Sequence, residues 1–177
     1  MLKRIIVTTL LAFTSAAEAA PLSEGVRGRA WGSAPREEDK TLCAVEIDDI
    51  SASMVRYGCK EQVIPGLPDL GMVLYGYLDG ALTSVSVYAE DLTGHLCGSV
   101  KDLAVAAWGA GSPQNKLLDR RTDPWRWVAS AEKSGPTHIA ALSWNGRECS
   151  LLAIDNRSYR KYELLRKEEM KRRAEAF

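Results

Sequence analysis

Residues 71–90, Gly-Met-Val-Leu-Tyr-Gly-Tyr-Leu-Asp-Gly-Ala-Leu-Thr-Ser-Val-Ser-Val-Tyr-Ala-Glu, constrain this chain more than any other stretch. Asp79-Gly80 supplies the two residues tolerant of φ > 0 that a type I′ turn needs, and β-branched and aromatic residues flank it with period two. A hairpin with a two-residue loop is expected. Its register sets Leu78 opposite Ala81, Gly76 opposite Thr83, Leu74 opposite Val85 and Met72 opposite Val87 on a mostly apolar face. Tyr77 with Leu82, Tyr75 with Ser84 and Val73 with Ser86 form the more polar face. An antiparallel sheet therefore occupies the middle of the chain.

Residues 1–19 read as a secretory signal peptide. Lys3 and Arg4 precede an uncharged, mainly apolar run over 5–17, and Ala17-Glu18-Ala19 places small residues where a signal peptidase inspects them. The run is shorter than the roughly 20 residues of a membrane span. No cysteine lies near the expected cleavage site, which argues against a lipid anchor. The reading is a periplasmic or secreted chain with a single domain over 20–156, a length at which roughly 70% of the unfolded surface is buried. Formal net charge is zero, but residues 157–177 hold eight Lys or Arg against four Glu, so a charged, basic helix is expected there. A nucleic-acid partner is not expected, because the body of the chain carries no basic patch.

Cys43, Cys59, Cys97 and Cys149 are an even number of cysteines in an oxidising compartment, which points to two disulfides. Cys43 and Cys59 are symmetric about Ser51, in a turn that begins at Asp48-Asp49 between two strand-like runs, so they would meet across a hairpin. That leaves Cys97 with Cys149. No clustered Cys-x-x-Cys or Cys/His pairs suggest a metal or a redox centre, and no cofactor is expected.

In chain order, Ser33 is a candidate N-cap, with Pro35 and acidic residues behind it, for a short helix ending near Thr41. Strands follow over 42–47 and 52–63, then a break at Pro65, Gly66 and Pro68, then the central hairpin. Over 94–108, Leu96, Val100, Leu103 and Ala107 recur at helical spacing, with Cys97, Ala104 and Trp108 widening the stripe and Lys101 and Asp102 pointing away. The helix should stop at Gly109 to Pro113. Residues 115–123 read as an exposed loop, and 125–129 as an alternating strand. Asn145-Gly146 reads as a second type I′ hairpin pairing Leu142 with Cys149, with that face packed on the 94–108 helix. The terminal helix carries Tyr159, Tyr162, Leu165 and Met170 as a thin apolar stripe.

The expected class is α+β, with antiparallel sheet, a core-facing helix and two degenerate α-β repeats. Trp31-Gly32 and Trp108-Gly109 hint at the duplication. The segment 28–38, with its Gly-containing strand, Trp31-Gly32, Ser33 and Glu-rich helix, resembles the opening of many exported bacterial proteins without assigned activity. The element order resembles the tandem repeats of secreted β-lactamase inhibitor proteins, and one unit is similar to small outer-membrane assembly lipoproteins. That resemblance implies a binding role.

Catalytic patterns do not emerge. His95 and His138 are the only histidines and no Gly-x-Ser-x-Gly or Ser-x-x-Lys motif accompanies them, while adjacent Asp48 and Asp49 diverge on a turn. The expectation is a non-enzymatic binder of another envelope or secreted protein, of inhibitor, immunity or assembly-factor type, with an exported hydrolase or a structural envelope component as alternatives. Candidate contact residues are Trp125, Arg126 and Trp127, enriched types at binding hot spots although alternate tryptophans in a strand more often form core on one side of a sheet, and Lys167, Lys171, Arg172 and Arg173, which read as a solvated helix end favouring the C-terminal dipole or as a contact for an acidic partner or an anionic membrane surface.

Overall fold

The computed structural model describes residues 21–48, 53–64, 68–113, 125–132 and 135–176. The expected signal peptide, the Asp49 side of the first turn, the Pro65-Gly66 break and the 115–123 loop lie outside them. The elements run β1 (Gly25–Val26), β2 (Arg29–Ala30), α1 (Glu37–Leu42), β3 (Ala44–Ile47), β4 (Met54–Gln62), β5 (Leu70–Leu78), β6 (Ala81–Glu90), α2 (His95–Trp108), β7 (Ser112–Pro113), β8 (Trp125–Glu132), β9 (Gly135–Trp144), β10 (Glu148–Asp155) and α3 (Asn156–Glu175).

β1 and β2 pair only with each other, and the other eight strands form one antiparallel sheet in the order β3-β4-β5-β6-β10-β9-β8-β7. The class is α+β. A helix followed by a four-stranded meander occurs twice, and the last strand of each meander, β6 and β10, meets its counterpart at the centre. The second meander gains its fourth strand from Ser112–Pro113, a segment that reads as a stop in sequence. As an edge strand it accommodates a proline, whose missing N–H removes no ladder bond there. Trp31 precedes α1 whereas Trp108 is the last residue of α2, so the two Trp-Gly pairs are not equivalent positions.

The central hairpin turns at Asp79 (φ 52°) and Gly80 (φ 78°), as the sequence requires. Its register departs from expectation one step beyond the turn. Leu78 pairs with Ala81 and Tyr77 with Leu82, then a β-bulge shifts the ladder so that Gly76 pairs with Ser84, Tyr75 with Val85 and Val73 with Val87. Thr83 is the extra residue, buried, its hydroxyl donating to the Gly76 carbonyl at 3.0 Å. The shift puts Val73, Tyr75, Val85 and Val87 on one face, where the unbulged register would have paired apolar with serine. At the bulge a Cβ on Gly76 would lie 2.3 Å from Ser84 Oγ, so a larger residue there would need the serine hydroxyl to rotate away.

The Asn145-Gly146 connection is also longer than expected. Cys149 pairs with Trp144, and Leu142 with Leu151, so four residues span the turn. Asn145 caps it instead of adopting φ > 0, its Oδ1 accepting from the amides of Arg147 (3.0 Å) and Glu148 (2.8 Å). His138 faces Asp155 across the ladder.

The main core lies on the face shared by Cys59, Val73, Tyr75, Val85, Ala153, Ala140 and Trp127, covered by the β1–β2 hairpin, α1 and α2. On α2 the buried positions are Cys97, Val100 and Ala104, while Leu103 is exposed. Lys101 does not point away but lies over the Trp125 ring, Nζ 3.6 Å from its centroid. The N-terminus of α2 is capped from a distance: Asp91 accepts from the Cys97 amide at 2.8 Å. Burial opposes ionisation of Asp91, but the amides of Cys97, Gly94, Leu96 and Thr93 outweigh it and hold its pKa below the ordinary value. α1 begins after Arg36, not Ser33, and its first turn is closed by the Arg36 amide donating to Asp39 Oδ2 at 2.9 Å.

Both expected disulfides are present, Cys43–Cys59 and Cys97–Cys149. With separations of 16 and 52 residues, chain entropy gives them about 3 and about 4 kcal/mol.

α3 docks on the opposite face. Tyr162, with Tyr159 and Leu165, packs on Met54 and Leu78. The Tyr162 hydroxyl donates to Asp48, and Arg56 joins both, with Nη2 3.1 Å from Tyr162 and 3.3 Å from Asp48. All these contacts fall before Arg166, and Met170 is exposed. Truncation after Arg166 is therefore expected to leave Tm within a few degrees of the full chain. Unfolding on truncation, read by circular dichroism, would show the helix end to be part of the core. Among the described residues no helix is long and apolar enough to cross a membrane.

Candidate functional site

The first residues of the site come from a network that fixes α1 against the sheet. Arg29, 7% exposed, makes a fork-to-fork pair with Asp39, 1% exposed, with Nη1 to Oδ2 and Nη2 to Oδ1 both at 2.6 Å. Tyr77 donates to the same carboxylate at 3.2 Å, and the guanidinium carbon lies 3.6 Å from the Tyr75 ring centroid. Tyr75 in turn donates to Glu61 (2.9 Å), which also receives Arg27 (3.1 Å). Burial favours the neutral acid at Asp39, yet Arg29, the Arg36 amide and the Tyr77 hydroxyl overcome it and hold the carboxyl below its usual range. Burial, with Asp39 beside it, pushes the Tyr77 hydroxyl up to about 12.

Asp39 Oδ, Cys43 Sγ and Cys59 Sγ lie within 4.8 Å of one another, but the sulfurs bond each other and the carboxylate holds Arg29, so this is not a metal donor set. A cleft of about 420 Å³ beside it is lined by Arg27, Arg36, Lys60, Glu38 and Glu61. Its charges are of both signs, with Arg27 paired to Glu61, and such a mixture selects no ligand.

What the network does is hold the end of the sheet. The disulfide pins Cys43, at the end of α1, to β4, and β3 follows immediately as an edge strand. All four β3 residues are exposed. Leu42 (82% exposed), Val45 (54%) and Ile47 (62%) form an apolar strip along this edge. Exposed apolar edge strands normally invite another chain.

The residues expected from sequence fare differently. Trp127 is buried, its Nε1 donating to the Gly109 carbonyl at 2.9 Å, and it meets Trp108 edge-on at 5.7 Å, so it is core and cannot contact a partner. Trp125 is half-buried, bonded through Nε1 to the Ala110 carbonyl at 3.0 Å and covered by Lys101. Arg126 lies on the other face, half-buried. On α3, Arg172 and Arg173 pair with Glu169 at 2.5 and 3.0 Å and Lys171 with Glu175 at 3.7 Å, so the basic cluster does find opposite charges among its own neighbours. Lys167 is exposed. The structure does not bring the tryptophans and the basic residues together on one surface.

Leu42, Val45 and Ile47 were not singled out by the sequence. Their alternation reads as an ordinary strand, and only the strand order reveals that nothing described covers them.

The two histidines are separated in role. His95 is exposed at the start of α2. His138 is half-buried, stacked on Trp31 at 5.6 Å, and no hydrogen bond reaches its Nδ1 among the described residues. Burial, partly offset by Asp155, lowers its pKa below the ordinary 6.5. The folded chain thus holds the ring neutral while the unfolded chain takes up a proton first as pH falls. Stability should therefore decline as pH drops from about 7 toward 5, and His138→Gln should flatten that decline in urea midpoints.

Comparison of the chain with family models, curated proteins and solved structures finds no match.

Proposed function

We propose that this chain is an exported protein that acts by binding another envelope or secreted macromolecule, in the manner of an inhibitor, immunity or assembly factor, without catalysing a reaction. The observation that carries the reading is the exposed apolar pair Val45 and Ile47 on an edge strand, with exposed Leu42 at the end of α1 before it, locked in place by a disulfide and a buried ion pair. A preformed strip of this kind loses little conformational entropy when a partner docks. Two disulfides suit an oxidising compartment, which supports export to the periplasm or beyond.

The test is a photo-crosslinking residue at Val45 in the producing cell, with Val128, an exposed residue on β8, as control. Adducts specific to Val45 are the expected result. Adducts equal to the control, or turnover of generic ester, glycoside or peptide substrates by the purified protein, would overturn the reading.

A further inference from the structure

The open side of β3 can be resolved to individual backbone groups. The Asp48 amide donates to the Met54 carbonyl at 3.0 Å, and the ladder runs Ile47 to Val55, Glu46 to Arg56, Val45 to Tyr57 and Ala44 to Gly58. Inward-bonding residues alternate along an antiparallel strand, so Ala44 and Glu46 share the orientation of Asp48. Val45 and Ile47 therefore turn their N–H and C=O groups outward, where no strand meets them among the described residues. The same two residues carry the exposed apolar side chains.

We propose, resting on the binding reading above, that β3 accepts an extended segment of another polypeptide as an added strand, and that this segment alternates apolar and basic residues. A second copy is the poorer occupant. Antiparallel pairing of Val45 with Ile47 sets Glu46 against Glu46, and pairing Ile47 with Ile47 sets Glu46 against Asp48, both like-charge oppositions. Pairing Val45 with Val45 calls on Cys43, whose amide is already given to the Asp39 carbonyl at 3.2 Å. A foreign strand escapes all three conflicts. Apolar residues beside Val45 and Ile47 extend the strip, and a Lys or Arg beside Glu46 adds a second cation on its open side, opposite Arg56, which faces Glu46 across the ladder but is hydrogen-bonded to Tyr162 and paired with Asp48. The mode is strand addition, in which backbone bonds give affinity and alternate side chains give selectivity.

The probe is a short synthetic peptide alternating valine and lysine, added to the purified disulfide-bonded protein and read by amide hydrogen exchange and fluorescence anisotropy. The expected result is new protection at the Val45 and Ile47 amides, those of Ala44 and Glu46 being protected beforehand. A valine–glutamate peptide should bind several-fold more weakly, Glu46→Lys should reverse that preference, and backbone N-methylation of the peptide should cost about tenfold. Binding without new protection at Val45 and Ile47, or with equal affinity for both peptides, would overturn strand addition. Protection of the same amides on concentrating the protein alone would overturn the foreign-segment assignment in favour of a second copy. If Val45 crosslinks form in the cell while the peptide results are negative, strand addition falls and the binding reading stands. If the crosslinks fail, the binding reading itself falls.

Discussion

Asp39→Ala should destabilise the fold by about 3–5 kcal/mol, because it leaves the Arg29 guanidinium buried and without its counter-charge. The loss should appear in urea unfolding at pH 7. The double variant Arg29→Met with Asp39→Leu removes both charges at similar volume and should recover most of it, since a buried pair gains little over well-packed apolar groups. A cost below about 1 kcal/mol for the single variant would show that water reaches the pair. The acid limb gives an independent check. The folded carboxyl sits below its ordinary value of 3.8, so its stabilisation is complete above that pH and is lost as pH falls through the lower, folded value. Asp39→Ala should lack that part of the acid transition.

Trp127→Ala should cost a comparable 3–5 kcal/mol, for a different reason. The ring is 2% exposed, holds the chain after α2 through its bond to Gly109, and stands edge-on to Trp108. In a domain of this size that corresponds to a fall in Tm of roughly 10 °C. Gly111 depends on the same indoles, since a Cβ there would lie 2.8 Å from Trp127 Nε1 and 2.4 Å from Trp125 Nε1. Trp127→Phe should lose less, keeping most of the packing but not the Gly109 bond. A Trp127→Ala variant that melts with the parent protein would favour the contact role over the core role, the two readings that the sequence offers for this tryptophan.

The features legible in sequence were those fixed by local chemistry. Asp79-Gly80 had to turn with φ > 0, and the spacing of Cys43 and Cys59 about a turn left one sensible partner for Cys97. The stripe of Tyr159, Tyr162 and Leu165 was readable because three residues at helical spacing need one surface. What escaped was set by partners distant in sequence. The bulge at Thr83 is chosen by the need to stack Tyr75 and Val73 on the strands beyond, which no hairpin pattern contains by itself. Lys101 reads as a solvated charge until Trp125 is found beneath it. Arg29 and Asp39 are ten residues apart, yet their meeting depends on α1 folding over Tyr75 and Tyr77. The candidate site is the extreme case, because Val45 and Ile47 differ from any buried strand pair only in having no neighbour on one side.

The sheet is assembled from two meanders, and each disulfide ties one of them to the helix that precedes it. The cysteines therefore pair first with second and third with fourth, in the order in which they leave the ribosome. A chain threaded amino-end first into an oxidising space would present Cys43 and Cys59 to each other before Cys97 and Cys149 arrived to compete. Correct connectivity then follows from the timing of emergence, and the sorting of mispaired bonds that interleaved patterns demand becomes unnecessary.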